Sequence, residues 1–343
     1  MIVQGNPKSW LRTVWTWKGT ALQRIWKRLL FTTSTAAVIT YIDLGFGGRY
    51  QFHEDLTLVP FSLIGVALGI FLGFRNNTSY DRFWEGRKLW GRMVNVSRSL
   101  TRQILTMIGP IQKEYEGRLN DGVRGHYYGE LPTEQDREDD PDMDELLDFH
   151  KECVHRVAAY FHCVRLHLRD EWDMSDLEGL VPDEEIERLK DESNRPAAML
   201  QTLGDRFREA WLRGWIHSMH FKVLEESLTE MTGIQGGCER IKSTPIPFSY
   251  TALIHKIVAL YCYALPFGIV NETKWFTPVV VAIVAYAFFG LDAVGDEIED
   301  PFGKDLNDLP LSTLSTMIEV NIRQRIGDED LPELLKPVDN VLQ

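Results

Sequence analysis

Apolar residues are concentrated in a few long runs rather than spread along the chain. Residues 56–74 form the clearest run, with no charged side chain over 19 positions. A helix of that length crosses the roughly 30 Å hydrocarbon core of a bilayer at about 1.5 Å per residue. Residues 29–46 form a more polar run, whose hydroxyl groups can hydrogen-bond to the backbone of a spanning helix. Together the two runs predict a transmembrane hairpin.

Two further apolar runs occupy residues 251–270 and 275–291, with a short polar turn between them. They predict a second helical hairpin in the membrane. His255 and Lys256 lie in the first of these runs, where a charge is costly unless it faces another helix, the interface or water. The chain is therefore expected to cross the membrane four times.

Basic residues flank the first hairpin on both sides, which predicts that both flanks are cytoplasmic. The cytosolic parts are then an N-terminal segment (1–28), a central region (75–248) and a C-terminal segment with an acidic turn (292–343). The expected location is the cell membrane, with several spans and both termini inside. The flanking residues are Lys18, Arg24, Lys27, Arg28, Arg75, Arg82, Arg87, Lys88 and Arg92.

The central region carries apolar residues at helical spacing and no alternating pattern long enough for a sheet. An acidic stretch at residues 129–145 interrupts it, and a solvated loop accounts for that stretch better than a metal site does. The predicted fold class is all-α: a four-span helical integral membrane protein with a large helical cytosolic region.

Charge and cysteine content exclude some functions. The formal net charge of −13 argues against a nucleic-acid partner, because neutralising phosphates requires a surplus of Lys and Arg. The four cysteines form no CxxC pair, which is typical of reduced thiols in a cytosol-facing protein.

The second predicted span combines two stripes that each recur every four residues. Small residues form one stripe, at which another helix can approach closely, and larger apolar residues form the adjacent stripe. An apolar stripe turned toward a symmetry axis would make a hydrophobic constriction that gates ions by dewetting. On periodicity alone, ordinary lipid-facing or core residues are the favoured interpretation. The stripes are Gly65, Gly69 and Gly73, and Val66, Ile70 and Phe74.

Three long stretches resemble the bestrophin family, in its bacterial branch. They are PFSLIGVALGIFLGFRNNTSYDRFWEGRKLWG, CERIKSTPIPFSYTALIHK and LDAVGDEIEDPFGKDLNDLPL, in that order. The resemblance covers nearly the whole chain, and residues 115–200 depart from it most.

This resemblance implies a homopentameric ion channel around one central pore, with membrane lipid and small monovalent ions as its other partners. It places Val66, Ile70 and Phe74 at a narrow neck, with Asn76 and Asn77 just below. The best-known bestrophins conduct chloride and other anions, and monovalent cations are the alternative for bacterial relatives. The sequence leaves that choice open.

The resemblance also implies a second, cytosolic aperture, for which Met219 is the best-matching position, within about one residue. His217 and His220 flank it and would make the aperture pH-sensitive if they lined the pore. The favoured interpretation is that both imidazoles are ordinary positions on a soluble helix.

Eukaryotic bestrophins hold calcium in the acidic segment after the fourth span, which here offers Asp305 and Asp308 as oxygen ligands. Lys304 among these positions opposes a divalent cation. The favoured interpretation is a solvated helix end followed by a turn at Pro301 and Gly303. No cofactor is therefore predicted, and calcium held by Asp305 and Asp308 is the less favoured alternative.

The aromatic residues Trp84 and Trp90 are predicted as anchors in the interfacial zone of the membrane. Two competing functions remain. A membrane-anchored scaffold would suit the large acidic cytosolic region. A membrane-bound metal-dependent enzyme would need the histidines of residues 150–167, yet no HExxH motif, Ser-His-Asp group or phosphate-binding loop accompanies them. The chain is therefore predicted not to be an enzyme.

Overall fold

The computed structural model describes residues 16–45, 58–109, 141–338 and 341–342. Within those ranges the chain is helical, and β-structure is limited to three isolated bridges. The all-α prediction is confirmed. The α-helices of the described residues are α1 Ala21–Gly45, α2 Leu58–Met107, α3 Pro141–Arg169, α4 Asp183–Lys190, α5 Arg195–Leu212, α6 Ser218–Ser243, α7 Phe248–Thr273, α8 Thr277–Glu299 and α9 Leu311–Arg323.

The chain forms two compact units. The first unit comprises Met1–Arg87, Arg240–Leu309 and Pro337–Leu342, and it contains α1, α7, α8 and the beginning of α2. The second unit comprises Lys88–Glu239, Pro310–Lys336 and the final residue, and it contains the end of α2, α3, α4, α5, α9 and most of α6.

Four helical segments of the first unit share an apolar core. One cluster joins Ile25 of α1 and Leu72 of α2 to Val258 of α7 and Phe289 of α8. Removing such contiguous apolar faces from water is the main favourable term in packing, at about 25 cal/mol per Å². A second cluster consists of Ala36, Phe61, Leu265, Ile269 and Val281.

The chain reverses between α7 and α8 through the short 3-10 helix Lys274–Phe276. Lys274 has a positive φ of 47°, which ends α7. Pro278 stands in the first turn of α8, where a missing backbone N–H costs nothing. The reversal falls in the polar stretch between the last two predicted spans.

Two helical stretches in the described residues are long and apolar enough to cross a membrane. They are α2 and the stretch Phe248–Glu299, which contains both α7 and α8. The first unit also exposes large apolar side chains, such as Leu30 in α1, Leu260 in α7 and Ile283 in α8. Exposed apolar surface of this kind marks contact with lipid or with another protein.

The second unit packs around α3, where Val157 and Phe161 are fully buried. Tyr160 donates its hydroxyl to the Met231 carbonyl at 3.1 Å. Trp90 is also fully buried in this unit, so its prediction as an interfacial anchor is wrong. Trp84, in the first unit, is half exposed. Most of the acidic stretch 129–145 lies outside the described residues.

Candidate functional site

The beginning of α2 has two opposite faces. Phe61 and Leu72 are buried in the core of the first unit. At about 100° per residue, Val66, Ile70 and Phe74 lie about 180° from that packing face. Their exposed fractions are 66%, 53% and 62%. The stripe proposed from sequence therefore points away from the apolar core of the first unit.

The exposed stripe is longer than the predicted neck. Val59 and Leu63 continue it toward the beginning of α2, and both are exposed. Asn77 continues it after Phe74 and is also exposed. Spacings of three and four residues could have identified these positions, since they repeat the same helical face.

The three glycines of α2 do not share one environment. A Cβ added to Gly65 would lie 2.6 Å from the Tyr261 hydroxyl oxygen, whereas nothing lies within 4 Å of one added to Gly69 or Gly73. The close helix approach expected of this stripe occurs only at Gly65, with α7, among the described residues. Gly69 and Gly73 lie beside the exposed stripe.

Asn76 and Asn77, predicted together below the neck, face different surroundings. Asn76 donates its amide to the Leu291 carbonyl of α8 at 3.1 Å. A Cβ on Gly295 would lie 2.4 Å from Asn76 Oδ1, so glycine permits the close contact between α2 and α8. Asn76 is therefore a helix-packing residue, and Asn77 alone follows the exposed stripe.

Arg75 is fully buried, donates hydrogen bonds to two carboxylates of α8, and has its Nη2 3.9 Å from Oε2 of a third, Glu299. Its Nη1 lies 2.7 Å from Asp292 Oδ1, and its Nη2 donates to Asp296. His255 of α7 completes the group, with Nδ1 3.2 Å from Asp292 Oδ2 and Nε2 3.4 Å from Asp296 Oδ1. His255, which would be costly in lipid, thus faces two carboxylate partners on α8.

The ligand atoms of His255, Asp292 and Asp296 lie within 4.8 Å of one another, a spacing compatible with a divalent metal. Arg75 donates to both carboxylates, however, and its fixed positive charge opposes a cation at the same place. We interpret the four residues as an ion-pair network. Sequence reasoning missed it, because the partners of Arg75 lie more than 200 positions away.

Arg82 binds backbone carbonyls. Its Nε donates to the Glu299 carbonyl at 3.1 Å and its Nη2 to the Ile241 carbonyl at 2.6 Å, and it also donates to the Thr244 carbonyl. These carbonyls end α8 and α6, where helices leave acceptors unpaired. Arg82 therefore stabilises the first unit.

The acidic turn after α8 already has a cation from its own chain. Arg24 Nη2 lies 2.8 Å from Asp305 Oδ2 and 3.6 Å from Glu297 Oε1. Asp308 is 3% exposed, and its Oδ2 accepts the Asp305 backbone N–H at 2.7 Å. Calcium requires six to eight oxygen ligands. Asp305 and Asp308 in this arrangement do not fit that requirement.

Burial dominates the electrostatics of Asp308. It raises the pKa of this carboxyl to about 6, against the opposing effect of the hydrogen bond from the Asp305 N–H. A Cβ on Gly303 would lie 2.6 Å from Asp308 Oδ2, so glycine lets the carboxylate fold over the turn.

Met219 lies at the start of α6 in the second unit and is 68% exposed. Its N–H donates to His217 Nδ1 at 3.2 Å. The rings of His217 and His220 have centroids 6.0 Å apart, and both side chains are exposed.

The four histidines of α3 do not converge on one point. Each has its own partner: His150 with the Ile108 carbonyl, His155 with Asp328, His162 with Glu319 and His167 with Glu239. This arrangement fits the structural interpretation of these imidazoles.

Arg323 connects two of these carboxylates, at 2.7 Å from Glu319 and 2.8 Å from Asp328. Burial raises the pKa of Asp328, but hydrogen bonds from Arg323 and His155 outweigh it and bring the pKa to about 2. The group is a stabilising network of the second unit.

Comparison with known proteins covers nearly the whole chain. Residues 1–324 match the model of the family described as Bacterial/Fungal Bestrophin protein. A voltage-dependent anion channel-forming protein of Ralstonia nicotianae is 37% identical over 94% of this chain and 94% of its own. The voltage-dependent anion channel-forming protein YneE of Escherichia coli K12 is 33% identical over 98% of both chains.

The fold matches solved structures as well. The crystal structure of a bacterial bestrophin homologue from Klebsiella pneumoniae is 31% identical, with a TM-score of 0.74 over 89% of this chain and 99% of that one. Sequence and fold thus confirm the resemblance carried by the three stretches. The chain belongs to the bestrophin family.

Proposed function

We propose that the chain is the pore-forming subunit of a channel that passes small monovalent anions. The observation that carries the proposal is the exposed apolar stripe of Val66, Ile70 and Phe74, opposite the packing face of α2. The names of the curated relatives favour anions over the monovalent cations that the sequence left open. Membership of this family of channels also confirms that the chain is not an enzyme.

The chain is a membrane protein, like its relatives, and in this proposal five copies surround one pore. One α2 cannot enclose a pore, so a closed symmetric ring is required. The number five comes from the family resemblance. A ring of apolar side chains then forms a neck that closes by dewetting. Asn77 lies below it, and Asn76 holds α2 against α8.

Four spans with both termini in the cytosol complete the proposal. The four native cysteines are buried, so a single introduced cysteine reports its own accessibility. Trp275→Cys, in the turn between α7 and α8, should react with an impermeant thiol reagent outside intact cells. Leu212→Cys should react only after the cells are opened. The reverse pattern would refute this orientation. The proposed spans are residues 29–46, 56–74, 251–270 and 275–291.

Purified protein in liposomes tests the channel directly. A chloride-selective reversal potential in a salt gradient is expected without any added substrate. Ile70→Ala and Phe74→Ala should raise the conductance, because smaller side chains widen the neck. Ile64→Ala and Phe71→Ala are matched controls, since both side chains are exposed on a lateral face of α2. A cation-selective reversal potential would show that the channel passes cations instead of anions. A protein that gives no currents would be a scaffold.

Met219 is proposed as the lower aperture in the cytosolic part of the pore. Met219→Ala should enlarge the conductance or alter the selectivity in bilayer recordings. Leu212→Ala, an equally exposed apolar position in the second unit, serves as the control. Unchanged currents in the Met219 variant would discard the assignment.

A further inference from the structure

Three arginines line one cavity of the second unit, which we name the arginine cavity. Arg98 and Arg102 lie four residues apart on α2, and Arg325 belongs to the 3-10 helix Gln324–Ile326 after α9. The cavity has a volume of about 340 Å³, and no carboxylate is among its lining residues in the described part of the chain. Three positive charges therefore meet there without a carboxylate from the described residues.

These guanidinium groups are also unpaired. None of the three makes an ion pair or a side-chain hydrogen bond with any residue that the structure describes. Other arginines of the same unit are paired, such as Arg323 with Glu319. Like charges four residues apart on a helix destabilise it. The described residues supply no negative charge to this cluster, so an anion bound from solution would be a favourable partner for it.

The remaining lining restricts the kind of anion. Thr101 and Asn321 already donate to the carbonyls of Ser97 and Met317, which leaves the guanidinium groups as the main donors facing the cavity. The planar fork of a guanidinium matches the oxygens of a phosphoryl group, which can accept two parallel hydrogen bonds. One chloride would neutralise only one of the three charges.

Size and apolar lining point to a small organic molecule. Leu105 and Ile322 supply apolar contact beside the arginines. Cavities that hold small ligands have volumes of roughly 300 to 1,000 Å³, so this one suits a compact ligand.

We propose that the arginine cavity binds a soluble small molecule carrying phosphoryl groups with two or more negative charges. The proposal goes beyond ion conduction and does not depend on it. The residues that line the site belong to the second unit, whereas the exposed stripe of α2 belongs to the first.

Calorimetry on the full-length protein in neutral detergent tests this, with inorganic pyrophosphate as the probe at constant ionic strength. Saturable binding with one site per subunit is expected. Arg102→Gln should weaken it about tenfold, as expected for the loss of one charge-assisted contact. The triple variant Arg98→Gln, Arg102→Gln, Arg325→Gln should abolish it. Arg208→Gln, which removes an exposed arginine elsewhere in the unit, should leave it unchanged.

Three results would overturn the proposal: no saturable binding, binding that survives in the triple variant, or an equal loss with Arg208→Gln. Thermal denaturation and particle mass of each variant show whether the fold and assembly are intact. A triple variant that fails only to assemble would assign the arginines to a subunit contact, which also overturns the proposal. Repeating the titration in anionic lipid nanodiscs tests whether a lipid headgroup binds in the cavity instead of a soluble molecule, because bound lipid would compete with pyrophosphate. The channel proposal is tested by ion currents and this one by calorimetry, so failure of one can be distinguished from failure of the other.

Discussion

Arg75 Nη1 lies 2.7 Å from Asp292 Oδ1, and both side chains are shielded from solvent. The pair joins α2 to α8 directly after Phe74, the last residue of the proposed neck. A buried ion pair adds little net stability, because desolvating its charges is costly. Its main consequence is positional, since it fixes the end of the neck against α8.

Removing one partner of this pair should be strongly destabilising. Arg75→Gln leaves the buried Asp292 carboxylate without its guanidinium, at an expected cost of about 3 to 5 kcal/mol. Thermal denaturation in detergent measures it, and adding Asp292→Asn should recover part of the loss. Arg92→Gln breaks the exposed pair with Glu230 and should cost about 1 kcal/mol or less. Equal losses in the two single variants would contradict the burial argument.

Gly65 should tolerate alanine less well than Gly69. The new Cβ at position 65 would meet the Tyr261 hydroxyl, and such overpacking typically costs about 1 to 3 kcal/mol. Adding Tyr261→Phe removes the nearest atom and should restore part of the melting temperature. At position 69 a new Cβ would enter open space, so Gly69→Ala should be neutral or slightly stabilising, because alanine favours the helix. If both glycine variants melt alike, the proposed clash is wrong.

Calcium should leave this protein unaffected. Because Arg24 already neutralises Asp305, millimolar calcium is expected to change neither the melting temperature nor the currents. Arg24→Gln should lower stability by about 1 kcal/mol, as for other partly exposed pairs. Arg28→Gln, one helical turn further on and exposed, is the control. Calcium activation of the unmodified protein would refute this account.

Asp308 should make stability fall as the pH rises. Its pKa in the folded chain is about 6 and its ordinary value is 3.8, so the folded state binds the proton more tightly. The stabilisation is complete below pH 3.8 and is lost as the pH rises through about 6. It amounts to at most about 3 kcal/mol, at about 1.4 kcal/mol per pKa unit.

Melting temperatures of the Asp308→Asn variant between pH 5 and 7.5 check this linkage. The melting temperature of the variant should not fall over this pH interval, and at pH 7.5 the variant should be at least as stable as the native chain. Asp205→Asn, at an exposed carboxylate of the second unit, should keep it. A native chain whose melting temperature rises over this interval would show that another group dominates.

Local pattern was sufficient for much of the fold. The apolar run at 56–74 predicted the start of α2, and the polar stretch at 271–274 predicted the reversal at Lys274. Both follow from spacing along one helix, where residues three and four apart share a face. Trp90 shows the limit of such patterns, because an aromatic residue beside arginines suits an interface and a core equally well.

The sequence by itself determined the helical class, the long apolar segments, the family and the apolar stripe of Val66, Ile70 and Phe74. Only the tertiary structure decided which glycine of α2 meets Tyr261, which asparagine packs against α8, and that Arg24 pairs with Asp305. Helical periodicity acts over a few residues and is visible in the sequence. Ion pairs and close contacts join residues far apart in the chain, so they exist only once the helices have packed.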